Sequence, residues 1–268
     1  MKPYGNSTSQ TVFPGMGAWA IIALVALPIL PHFLNDIYIV VLNETYLSRT
    51  PVNGNWTLQP GLAGKWLMWT LDFTVYLTLP VAALWFFLRK GWFSWEAFDF
   101  RTENLGRNAM LGLLLFAAIW MVAFIKAVYL DPLLRPLLPK YGYGGFFFQP
   151  RDGWLLFLLM SVYLGLAAGF LEEFLYRSFL IRSLERLGLP AVGAGAVSVI
   201  VFTGIHAVAG APILVLSFAV GIVFTAIYLR TRNIVPLVAA HSAIDIFWAS
   251  GYEDKFAGFL MKLPPFAN

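Results

Sequence analysis

Seven stretches of the chain are apolar over about the length of a transmembrane helix, and this feature restricts the fold more than any other. A helix needs ~20 predominantly apolar residues to cross a hydrocarbon core of ~30 Å. The runs cover residues 17–34, 66–88, 109–125, 154–187, 191–209, 212–229 and 234–250. Residues 127–153 are broken by prolines and glycines and have room for one further short helix. We therefore predict an all-α, polytopic integral membrane protein with seven or eight transmembrane helices around a polar intramembrane cavity.

The composition agrees with a multi-pass membrane protein, located in the cell membrane if the host is prokaryotic. Charged residues make up 12% of the chain, whereas soluble proteins carry about 25%. The absence of cysteine excludes disulfides, thiolate metal sites and cysteine nucleophiles. The net charge of +4 does not indicate a nucleic-acid partner, because the basic residues lie mostly in short loops between apolar runs, where they act as topology signals. The expected partner is the lipid bilayer.

The chain divides into three parts by the content of its runs. Residues 1–153 hold the amino-terminal transmembrane helices and loops, and residues 154–250 hold helices that carry unusual polar motifs. Residues 251–268 are too short and too charged to cross again, so we expect an interfacial tail. No internal repeat is visible, which disfavours an inverted-repeat transporter.

Three charged residues stand in the strongly apolar fourth run. Each of Glu172, Glu173 and Arg177 would cost about 2.5–3.5 kcal/mol at a helix centre, so they must be paired, hydrated or at the membrane boundary. Glu173 and Arg177 have the i,i+4 spacing of an ion pair on one helix face. Glu172 lies ~100° around the helix and is expected to face another group. A structural ion pair beside a spare surface glutamate is the alternative interpretation.

Two more runs carry polar groups at helical spacing. Phe202 and His206 are i,i+4 in the fifth run, and His241 and Asp245 are i,i+4 in the seventh. Acids and histidines on three separate helices favour a functional polar cavity over packing alone.

Such a cavity can serve three kinds of chemistry. A carboxylate and an imidazole can deprotonate water, a second imidazole can donate to an oxyanion, and Asp245 can orient His241. Glu172, His206 and His241 are also possible ligands of a divalent metal. The third possibility is a proton relay in a transporter.

The three motifs together resemble the CPBP family, which comprises intramembrane CAAX prenyl endopeptidases and bacterial bacteriocin-processing or abortive-infection relatives. The motifs are E-E-x-x-x-R at Glu172, F-x-x-x-H at Phe202 and H-x-x-x-D at His241, in the family's order. The resemblance implies an intramembrane endopeptidase without an essential metal or other cofactor. Its substrate would be a peptide or the lipidated C-terminus of a protein.

The resemblance also implies a role for each motif residue. Glu172 would activate water with His206 as its partner, while His241 and Asp245 would stabilise the oxyanion. Glu173, Arg177 and Phe202 would support them. Prenyl-processing members often carry Asn where this chain has Asp245. An ionised carboxylate cannot donate a hydrogen bond, so Asp245 is expected to orient His241 or to be protonated.

Two other functions stay open beside hydrolysis. A non-catalytic scaffold for immunity or peptide maturation would keep the fold without needing Glu172, and a proton-coupled transporter would use the acids as a relay.

The depths of the motif residues in the membrane set a further expectation. Straight helices with the bounds above do not bring Glu172, His206 and His241 to one level. Either the fourth helix begins outside the membrane, or Gly204 and Gly210 mark an irregular end of the fifth.

Overall fold

The structure is a computed structural model that describes residues 17–23, 25–26, 29–30, 33–34, 56–57, 62–92, 99–101, 103–134, 137, 141–142 and 152–250. Within these ranges almost every element is a helix, so the predicted all-α class is confirmed. The exception is a two-residue parallel pair, in which Trp56 lies opposite Tyr141 and Thr57 opposite Gly142. Its strands are β1 (Trp56–Thr57) and β2 (Tyr141–Gly142).

The helices follow the predicted apolar runs closely. The described residues between 18 and 34 are helical. The second run forms α1, a π-helical segment and α2 (Leu62–Asp72, Phe73–Thr78 and Leu79–Arg89). Next come α3 and the single turn α4 (Leu105–Tyr129 and Asp131–Leu134). The fourth run forms α5, a second π-helical segment and α6 (Trp154–Glu172, Glu173–Leu180 and Ile181–Arg186). The remaining helices are α7, a 3₁₀ turn, α8 and α9 (Ala191–Gly204, Ala207–Ala209, Ala211–Thr231 and Val235–Ala249).

The protein is an integral, multi-pass membrane protein. Among the described residues, four helical stretches are long and apolar enough to cross a bilayer: Lys65–Arg89, Leu105–Tyr129, Trp154–Arg186 and Ala211–Thr231. The helices α7 and α9 are apolar but shorter. The total of seven or eight helices stays a prediction, because the first run is only partly described. The division of the chain at residues 153 and 250 also stays a prediction. The predicted interfacial tail, residues 251–268, lies outside the described ranges.

The fourth run is one continuous helix of 33 residues, roughly 50 Å long at 1.5 Å per residue. It is longer than a ~30 Å hydrocarbon core requires, as the predicted long fourth helix demands, and where it enters the membrane stays a prediction. The irregular end of the fifth run is confirmed. α7 stops at Gly204, and Gly210 adopts a positive φ of 88° just before α8 begins. Either feature had been expected as the way to bring the three motifs to one level.

Helix α9 lies between α5 and α3, and glycines allow its close approach to both. A Cβ on Gly169 would collide with the hydroxyl and the backbone of Ser242, and a Cβ on Gly165 would lie 2.8 Å from the Ser242 carbonyl oxygen. On the other side, a Cβ on Gly112 would lie 2.7 Å from the Cβ of Ala239. Small residues of this kind let helix backbones approach closely within a membrane. Because Ser242 follows His241, this contact fixes the distance between His241 and the glutamates of the fourth run.

We expect Gly169→Ala to lower stability, because the backbone atoms of Ser242 cannot move out of the way without separating α5 from α9. Overpacking of this kind costs about 1–3 kcal/mol. Gly106→Ala in α3 is the matched control, since nothing lies within 4 Å of a Cβ there. Thermal unfolding of both variants in detergent measures the difference. Equal unfolding temperatures for the two variants would contradict the close contact between α5 and α9.

Candidate active site

The polar residues of the three motifs meet in the interior of the helical bundle. Glu172 is the last residue of α5, and Glu173 begins the π-helical segment that also carries Arg177. His206 lies in the turn that follows α7, and α9 supplies His241 and Asp245. Every residue predicted for the site therefore lies at the junction of the fourth, fifth and seventh runs, although what each one does stays a prediction.

The imidazole of His241 is surrounded by three carboxylates. Its Nδ1 lies 2.7 Å from Oε1 of Glu173. Its Nε2 lies 3.8 Å from Oε2 of Glu172 and 3.6 Å from Oδ2 of Asp245. The Glu173 side chain is fully buried, whereas the Asp245 side chain is 23% exposed. The close contact therefore fixes Nδ1 on the buried side, and Nε2 faces the two more accessible acids.

Both glutamates of the fourth run are directed at His241. Glu172 was expected to face another group, and its carboxylate approaches Nε2 of His241, whereas that of Glu173 lies at Nδ1. The helix changes from α to π between these two residues. A π-turn contains more residues than an α-turn, so successive side chains diverge by a smaller angle. Glu173 makes the hydrogen bond to His241, and the two alternatives for Asp245, orienting His241 or being protonated, stay predictions.

Arg177 forms the predicted ion pair with Glu173. Its Nη1 lies 3.2 Å from Oε1 of Glu173, and both side chains are fully buried. The contact is an ion pair without the directionality of a hydrogen bond. The guanidinium carbon also lies over the Phe202 ring, 3.8 Å from its centroid. Removing a guanidinium from water is costly unless it is paired, and here one carboxylate and an aromatic face replace the water.

Phe202 connects the three motifs through its ring. The ring packs against the Arg177 guanidinium, and its centroid lies 4.9 Å from that of the His206 ring and 6.1 Å from that of the His241 ring. Its carbonyl oxygen lies 2.8 Å from Nδ1 of His206. Because a carbonyl can only accept, Nδ1 of His206 must carry the hydrogen. A neutral His206 therefore keeps its lone pair on Nε2.

His206 is close enough to Glu172 and His241 for electrostatic interaction with both. Its side chain is half-buried, whereas those of Glu172 and His241 are buried. Glu172, His206 and His241 thus share one neighbourhood, and His206 is the most accessible of the three.

Sequence reasoning missed one aromatic residue at the site. Phe224 on α8 is fully buried; its ring centroid lies 6.1 Å from that of His241 and 5.7 Å from the Arg177 guanidinium. The chain contains 24 phenylalanines, and no motif distinguishes this one. The close approach of α5 to α9 was also missed, although the G-x-x-x-G spacing of Gly165 and Gly169 was a readable signal for it.

Among the residues that the structure describes, no three His, Cys, Asp or Glu side chains are grouped so that they could hold a metal ion. The absence of a cofactor stays a prediction, and activity in excess chelator is the measurement that would test it.

Comparison with known proteins agrees with the motifs. Residues 154–247 match the family model described as Rce1-like, type II CAAX prenyl endopeptidase. The match covers about a third of the chain and contains all three motifs, so the resemblance to the CPBP family is confirmed over this segment. No curated protein and no solved structure gives a significant match.

The buried pair of Glu173 and Arg177 should show strong energetic coupling. Removing one partner of a buried ion pair costs about 3–5 kcal/mol, because the other charge is left uncompensated. We expect Glu173→Gln with Arg177→Met to be less destabilising than the sum of the single changes, by about 0.5–3 kcal/mol. Reversible unfolding in detergent measures this cycle.

Glu103 and Arg107 provide the matched control for the cycle. They have the same i,i+4 spacing, but both are exposed near the start of α3. The corresponding Glu103→Gln and Arg107→Met changes should be additive. Additive effects at Glu173 and Arg177 would show that the two charges do not stabilise each other.

Proposed function

We propose that the protein is an intramembrane endopeptidase that hydrolyses a peptide bond with water activated by Glu172, in the manner of a CAAX prenyl protease. One observation carries the proposal. Three carboxylates, two from the fourth run and one from α9 itself, converge on the His241 imidazole inside an apolar bundle, within the segment that matches a CAAX endopeptidase family. Buried charges in a membrane are expensive and are typical of functional sites.

Glu172 is the general base of the proposed reaction. Its carboxylate takes a proton from water while the water oxygen forms a bond to the scissile carbonyl carbon. His206 holds the same water through the lone pair on its Nε2. The proton then passes from the Glu172 carboxyl group to the leaving nitrogen as the C–N bond breaks. The products are a free carboxylate and a free amine.

His241 stabilises the oxyanion of the tetrahedral intermediate. Glu173 accepts a hydrogen bond from Nδ1, so the second proton of an imidazolium lies on Nε2, the nitrogen that faces Glu172 and Asp245. A donor fixed in this direction before reaction stabilises developing negative charge. Asp245 flanks the same nitrogen and is placed to share its proton. A carboxylate that fixes an imidazole through the opposite nitrogen has the same role in serine-protease triads.

The supporting residues hold this arrangement without touching the substrate. Arg177 compensates the charge of Glu173, and Phe202 packs against Arg177 and both imidazoles. The substrate is proposed to be a peptide or a lipidated protein C-terminus that reaches the site from the bilayer. The apolar surroundings of the site suit either one.

The test is proteolysis by the purified full chain in liposomes, with farnesylated CAAX peptides and an unmodified peptide library as substrates. We expect Glu172→Gln to reduce kcat about 10²–10⁴-fold, the usual contribution of a general base. The exposed Glu103 supplies the matched control, because Glu103→Gln makes the same chemical change far from the site. Wild-type activity should persist in excess chelator.

Each other result points to a different function. Loss of cleavage on chelation, with recovery on adding a divalent metal, would return Glu172, His206 and His241 to the role of metal ligands. A well-folded wild type that cleaves no peptide would favour a binding or immunity scaffold. Solute flux driven by a pH gradient in the same liposomes would favour the transporter.

A further inference from the structure

A second buried polar cluster lies beside the start of α6, centred on Asp99. The Asp99 residue is only 2% exposed. Its Oδ2 accepts a hydrogen bond from Nε of Arg182, and its Oδ1 accepts one from Nη2, both at 2.8 Å. The hydroxyl of Tyr228 donates to Oδ2 at 2.7 Å. Two-point arginine–carboxylate contacts of this kind are strong and directional.

The backbone around Asp99 is tied to the start of α9. The carbonyl oxygen of Asp99 accepts a hydrogen bond from the Ile234 N–H at 3.1 Å. The Arg101 N–H donates to the Asn233 side-chain oxygen at 3.4 Å, and the same oxygen accepts the Val235 N–H at 3.1 Å. Residues 99–101 therefore hold the segment from which α9 begins.

The three elements joined by Asp99 are those that shape the site. α6 continues the π-helical segment that carries Glu173 and Arg177. α8 carries Phe224 one turn before Tyr228, and α9 carries His241. Arg182 follows Arg177 by five residues, the hydrogen-bond spacing of a π-turn. Phe224 on α8 contacts Arg177 of the π-helical segment, and Tyr228 on α8 is joined through Asp99 to Arg182 of α6.

We propose that Asp99 is a positioning residue for the hydrolysis proposed above, and the inference rests on that function. Asp99 touches no reacting atom. It fixes α6 and the π-helical segment relative to α8 and α9, and so holds Glu173 and Arg177 in register with His241 and Phe224. It lies outside residues 154–247, the part of the chain that matches the family. A displacement of about 1 Å in a catalytic group can cost ~10²-fold in rate, so a distant clamp has a measurable catalytic effect.

Asp99→Asn is the sharpest variant. Asp99 has a φ of 56°, and Asn tolerates this left-handed conformation as well as Asp does. The change keeps the backbone bond to Ile234 but removes the carboxylate that Arg182 and Tyr228 share. We expect kcat to fall about 10- to 100-fold while KM changes less than about threefold, because the substrate contacts are retained. Tyr228→Phe removes a single hydrogen bond and should give a smaller loss of the same kind.

The chain offers a matched control close to the Asp99 cluster. Glu185 and Arg232 also join α6 to the end of α8 through two hydrogen bonds, at 3.0 and 2.5 Å. Their side chains are 20% and 24% exposed, and no hydrogen bond between this pair and α9 is seen in the described part of the chain. Oε2 of Glu185 also lies 3.9 Å from Nη1 of Arg182, but Glu185→Gln leaves both hydrogen bonds from Arg182 to Asp99 in place. It should therefore leave kcat within about twofold, as expected for a partly exposed ion pair.

A second readout does not depend on activity. Because the chain has no cysteine, spin labels on cysteines at the exposed positions Arg186 and Arg230 report the distance between α6 and α8. We expect Asp99→Asn to shift or broaden this distribution and Glu185→Gln to leave it unchanged.

The outcomes separate the inference from the proposed function. A fall in kcat with altered distances in Asp99→Asn alone supports the positioning role. Wild-type kcat and distances in Asp99→Asn overturn it. Equal losses of kcat and melting temperature in Asp99→Asn and Glu185→Gln also overturn it, because they indicate general destabilisation. If the wild type cleaves no peptide, the proposed function fails, and unchanged distances in Asp99→Asn then overturn the clamp independently.

Discussion

The site depends on one buried carboxylate that binds two basic side chains. Oε1 of Glu173 lies 3.2 Å from the Arg177 guanidinium and 2.7 Å from Nδ1 of His241. A charge at this depth is tolerated only with partners, and each partner belongs to a different part of the bundle. Arg177 binds it within its own helix, whereas His241 reaches it from α9. The buried carboxylate is thereby also a tertiary link, and it determines which nitrogen of His241 faces Glu172 and Asp245.

The backbone is unusual at the places that this link requires. A π-helical segment begins at Glu173 itself, and wide helical turns of this kind are often found at functional sites. Gly165 and Gly169 let α9 approach α5 closely enough for His241 to reach the fourth run. α7 ends early at Gly204, which leaves His206 in a turn at the level of the other two motifs. Each departure from a long, straight helix moves a polar group towards the same point.

Much of this arrangement could be predicted from the sequence, because membrane helices and i,i+4 pairs leave local signals. The helix bounds, the pairing of Glu173 with Arg177 and the irregular end of the fifth run were all readable from spacing. The approach of both glutamates to His241 was not, since it depends on a π-turn that no periodicity reveals. Phe224 and Asp99 had no local signal either. Asp99 and Tyr228 are 129 residues apart, and contacts over such distances are decided by tertiary packing.

The structural unit that supports the site is therefore larger than the segment that carries the motifs. The family match begins at residue 154, yet α9 is held on one side by Gly112 of α3 and at its start by residues 99–101. Both contacts come from the amino-terminal part of the chain. In a bilayer, apolar side chains gain little by leaving lipid for protein, so the relative positions of helices depend on close packing and on polar contacts such as these. The amino-terminal helices thus contribute to the geometry around His241 through a few specific contacts, without contributing any of the proposed catalytic groups.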